Sequence, residues 1–158
     1  MQSIDHPALA EIKAIAAVHP RQSGYYLIDM VAIHQELAAG TALLDVLDDA
    51  LEHMDDQIWA PKSERPQDQS WQDYMTTSDN ARLIAIDALM GGPSIGQTRY
   101  AMTTARAGNI WAKFTSLFSG DVQWLTGVGL GDAAYVFQNG VAAFDSKHMG
   151  ILCVVEND

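Results

Sequence analysis

The apolar residues change their period along this chain, and that change limits the fold more than any single motif. Up to about residue 118 they recur every three to four positions, as on helices that bury one side. Beyond it, "AAYVFQNGVAAFD" at 133–145 alternates, and "GILCVVE" at 150–156 is a short apolar run. Asn139–Gly140 fits a two-residue type I′ turn, whose central residues both need positive φ. In that register Tyr135 faces Phe144 and Phe137 faces Ala142, giving the expected hairpin at 134–145 one coherent apolar side. "GILCVVE" adds a third strand, reached through "DSKHM". Helices first and a small C-terminal antiparallel β-sheet last make the expected class α+β.

Within the first 118 residues the helices are set by their punctuation. One is expected from Pro7 to Val18, with Asp5 as its cap and Pro7 in the first turn. "HPRQSG" at 19–24 interrupts it. "YYLIDMVAIHQELAAG" reads as a second helix from Tyr25, closed by Gly40, and Thr41 caps a third over 41–59. The polar, twice-proline stretch "PKSERPQDQS" at 61–70 reads as an exposed loop. Further helices are expected over 79–89, ended by "GGPSIG", and over 97–118. A length of 158 with 48% hydrophobic residues suits one domain, 1–158, with a substantial core.

The third helix carries the charge. "TALLDVLDDALEHMDDQIW" at 41–59 holds six carboxylates and no Lys or Arg. At about 100° per residue, Asp45, Asp48, Asp49, Glu52, Asp55 and Asp56 gather on one side. Leu43, Leu44, Val46, Leu47, Ala50, Leu51, Met54 and Ile58 cover the other. A surface helix packed on a core explains this separation fully. It explains the missing bases less well, since like charges at i,i+4 each cost about 0.2–0.5 kcal/mol. A docking face for a basic protein accounts for them. The acids do not match a calcium loop. His53 borders the strip, four residues from Asp49, and reads first as an exposed histidine beside acids.

The 97–118 helix has the reverse pattern. Tyr100, Ala107, Trp111, Phe114 and Phe118 align on one side as core, or as the wall of a ligand pocket. Arg99, Arg106 and Lys113, spaced by seven, align on another. In a chain of net charge −11 they read as a solvated face, or as a match to the acidic helix, rather than a nucleic-acid site. Residues 1–80 carry 14 acids against 4 bases, and residues 81–158 carry 6 against 5, so the charge is polarised. That balance disfavours nucleic acid and anionic membranes as partners.

Other motifs fail on context. "GVGLGD" at 127–132 follows an expected helix and precedes an expected strand, the reverse of a dinucleotide fingerprint. "GGPSIGQT" at 91–98 precedes a helix, a general anion-holding feature and no more. Cys153 is single and set among apolar residues, so it reads as buried. Five scattered histidines and one cysteine give no zinc pattern. The N-terminus shows no signal peptide and no stretch spans a bilayer, so a cytoplasmic location is expected.

Together these features favour an acidic protein–protein interaction module, an inhibitor, immunity or adaptor protein for a basic partner. Its partner-binding residues would be Asp45, Asp48, Asp49, Glu52, Asp55 and Asp56. The alternatives are a small-molecule-binding domain or enzyme, with a pocket between the 97–118 helix and the C-terminal sheet, and a structural subunit of an assembly. No residue is marked as catalytic, and no cofactor or metal is expected.

Overall fold

The computed structural model describes residues 2–19, 25–33, 46, 49, 50, 53, 74–91, 102–126 and 140–155. In chain order its elements are β1 (Gln2–Ser3), α1 (Pro7–Ala17), β2 (Tyr25–Ala32), β3 (Met75–Thr76), α2 (Ser78–Met90), α3 (Thr104–Thr115), β4 (Gln123–Thr126), β5 (Gly140–Phe144) and β6 (His148–Val155). The strands form one sheet in the order β1-β2-β6-β5-β4-β3, and every neighbouring pair is antiparallel. The fold is α+β, as expected, with β4 to β6 on the C-terminal side. Strands from earlier in the chain extend that sheet to six.

Local chemistry sets the helix ends. His6, not Asp5, caps α1, and the Ala8 N–H donates to its Nδ1 at 3.0 Å. A residue before proline is pushed to extended backbone, which is the N-cap conformation, so Pro7 fixes the cap at position 6. Thr77 caps α2, accepting from the Asn80 N–H at 3.2 Å, and Gly91 closes it at φ 120°. Thr103 caps α3, so this helix begins at Thr104, later than the expected start. Positions 97–101 lie outside the described residues. The helix also stops at Thr115, and Leu117 and Phe118 are buried in the turn beyond it.

The largest departure is β2. Tyr25–Ala32 is a strand paired along its whole length with β6, where a helix was expected. Its apolar residues serve both faces of the sheet: Ile28 and Met30 pack on one side, Leu27 and Val31 on the other. A strand buried on both faces loses its alternation and reads like a buried helix segment. Positions 34–40 lie outside the described residues.

The expected hairpin at 134–145 is also corrected. Both edges of β5 are taken: Phe144 pairs with Gln123 and Met149, and Ala142 with Leu125 and Ile151. That leaves no edge for Tyr135 or Phe137, which lie outside the described residues. The third expected strand is present as β6, and it forms a hairpin with β5 across Asp145–Lys147.

Two apolar layers sandwich the sheet. On one face α3 lies between α1 and α2, and the three helices bury Leu9, Ile12, Ala85, Leu89, Ile110 and Phe114 against Ile28, Met30, Val141, Ala143 and Leu152. The buried side of α2 is largely alanine, and α2 lies against β5; small side chains there suit close packing of a helix on a sheet. On the other face Leu27, Val31, Leu125, Ala142, Met149, Ile151 and Cys153 pack with Val46, Ala50 and Tyr74. Gly150 is needed where the rings meet the sheet, since a Cβ there would stand 2.5 Å from Phe118 Cζ.

Candidate functional site

Val46, Asp49, Ala50 and His53 are the described residues of the acidic stretch, and all four are helical. They stand at i, i+3, i+4 and i+7, one face of a helix. Ala50 is fully buried and Val46 packs beside it against the second face of the sheet. Asp49 and His53 are exposed. The apolar side of the wheel therefore meets the core at both described apolar positions. Asp45, Asp48, Glu52, Asp55 and Asp56 lie outside the described residues. His53 Nε2 is 2.9 Å from Ser3 Oγ, which ties this helix to the β1 edge of the sheet.

Of the three bases in the 97–118 stretch, Lys113 and Arg106 are among the described residues. Lys113 Nζ pairs with Glu11 Oε2 of α1 at 2.6 Å, and Arg106 is exposed. Lys113 also holds the Glu11 carboxyl below its usual value, by hydrogen bond and by charge. Both bases belong to the three-helix layer, while Ala50 and Val46 pack on the opposite face. Among the described residues Lys113 is therefore engaged in an α1–α3 ion pair. Arg99 lies outside the described residues.

A second polar centre sits where the β5–β6 turn meets the chain after α3. Asp145, 4% exposed, is the buried charged residue among those described. Its Oδ1 accepts from the backbone N–H of Lys147 and of His148, each at 2.8 Å. Its Oδ2 accepts from the Ser119 N–H at 3.1 Å and lies 3.3 Å from His148 Nδ1. Burial alone would push this carboxyl up. The N–H groups of Lys147 and Ser119, the His148 ring and the His148 N–H outweigh burial, and the net shift is downward. Asp145 thus fixes the imidazole through Nδ1, the geometry by which carboxylates orient histidines in catalytic and metal sites. It equally clasps a turn. Neither residue is named among the sequence expectations; the available signal was Asp at the head of a four-residue turn, where its side chain reaches backbone N–H groups ahead.

The aromatic stripe is core. Trp111, Phe114, Phe118 and Trp124 contact one another, with Trp111 and Trp124 ring centroids 4.8 Å apart, and they occupy the space between α3 and the sheet. Tyr100 lies outside the described residues. So do residues 127–132, but a strand, β4, runs into them rather than a helix. Its antiparallel pairing with β5 still differs from the parallel unit that binds dinucleotides. Cys153 is buried, and among the described residues no group of three or more His, Cys, Asp or Glu could hold a metal ion. Nor, among them, is any helix long and apolar enough to cross a membrane. No protein-family model, curated protein or solved structure matches the chain.

Proposed function

We propose that this protein is an acidic protein–protein interaction module for a basic partner, acting as an inhibitor, immunity or adaptor protein. One observation carries the reading. Residues 34–73, between β2 and β3, hold ten carboxylates against two bases, a net of −8 of the chain's −11. Their helical positions Val46 and Ala50 are anchored on the sheet face opposite the three-helix layer. A helix continued at that periodicity turns Asp48, Glu52 and Asp55 away from Ala50. Such a surface attracts a basic protein and speeds its encounter, and it repels nucleic acid and anionic membranes. A cytoplasmic setting is part of this reading, in keeping with a single, buried cysteine.

The test begins with an unbiased pull-down to find the partner. Calorimetric titrations then compare wild type with a variant carrying Asp48→Asn, Glu52→Gln and Asp55→Asn at two salt concentrations. Weaker binding and a flatter salt dependence in the variant are expected. Equal affinities and equal salt slopes would leave the strip as a solvated helix face.

The His148–Asp145 pair favours a second reading, a small-molecule site or enzyme. There the expected sign is a ligand that raises the melting temperature of wild type but not of His148→Gln. A ligand screen in which both proteins respond alike would remove this reading and leave the first untouched.

A further inference from the structure

We draw no further inference here: the strongest candidate, the His148–Asp145 pair where the β5–β6 turn meets the chain after α3, belongs to the polar centre already described, and nothing in the structure shows what its imidazole would act on.

Discussion

The Asp145 carboxyl is held below its usual value although it is nearly removed from water, because three backbone N–H groups and the His148 ring converge on it. Asp145→Asn replaces an all-acceptor group with one that also donates, facing donors it cannot satisfy. The expected loss is about 2–3 kcal/mol at pH 7, measured by urea unfolding. Its pH dependence has a fixed sign. A carboxyl depressed in the folded state contributes fully above its unfolded value, about 3.9, and that contribution fades as pH falls through the lower folded value. The gap between wild type and Asp145→Asn should therefore narrow below about pH 4. A gap that is constant with pH would mean the charge plays no part. Trp111 works through packing instead. It is buried against Phe114 and Trp124, so Trp111→Ala should cost about 3–5 kcal/mol in the same assay. A loss below about 1 kcal/mol would place the ring outside the core.

Elements were legible where the two faces of a segment differ. The helix expected over 79–89, ended by "GGPSIG", is present as α2 over 78–90, with buried and exposed positions segregated along it. β2 was not legible, because both of its faces carry apolar residues and its pairing with β6 makes it a strand. The hairpin misreading has a similar origin. Asn139–Gly140 is a strong local turn signal, but β5 finds both partners elsewhere, in β4 and β6, and local chemistry cannot report that competition. Of the candidate site, the sequence showed the acidic side of one helix. It could not show Asp145 closing on Ser119, a pair that only the packing of the β5–β6 turn against the chain after α3 brings together. Asp29 is the polar interruption in "YYLIDMVA", and its position explains it. The Ile4 N–H donates to the Met30 carbonyl at 3.3 Å, but the Met30 N–H is taken at 2.9 Å by Asp29 Oδ1, itself 3.4 Å from Lys13 Nζ. The β1–β2 ladder ends there. Asp29→Ala should speed amide exchange at Met30 and cost about 1 kcal/mol. Unchanged protection at Met30 would show that β1 takes over as acceptor.

At the scale of the whole molecule, the sheet separates two unlike surfaces. One side carries the α1–α3 layer, where Glu11 and Lys113 are paired. The other receives Val46 and Ala50 from the segment that holds most of the net charge. The proposed acidic face implies like-charge repulsion within that segment, and this gives a test that needs no partner. The triple Asp48, Glu52, Asp55 variant should keep its fold and gain about 0.5 kcal/mol at low salt, a gain that shrinks as salt screens the repulsion. Thermal unfolding at two ionic strengths checks this. A loss above about 1 kcal/mol would mean those carboxylates hold the structure rather than burden it.

The place of β6 in the sheet also bears on how the protein is made. A ribosome emits the chain from its N-terminus at about 5–20 residues per second, and β2 emerges early. Its full-length neighbour is β6, the last of the described strands, which also sits beside β5. Until His148–Val155 has left the tunnel, that edge of β2 has no such partner. Nascent chains stalled before residue 148 should therefore be cut readily by protease and held by chaperones, with protection appearing only once β6 is released.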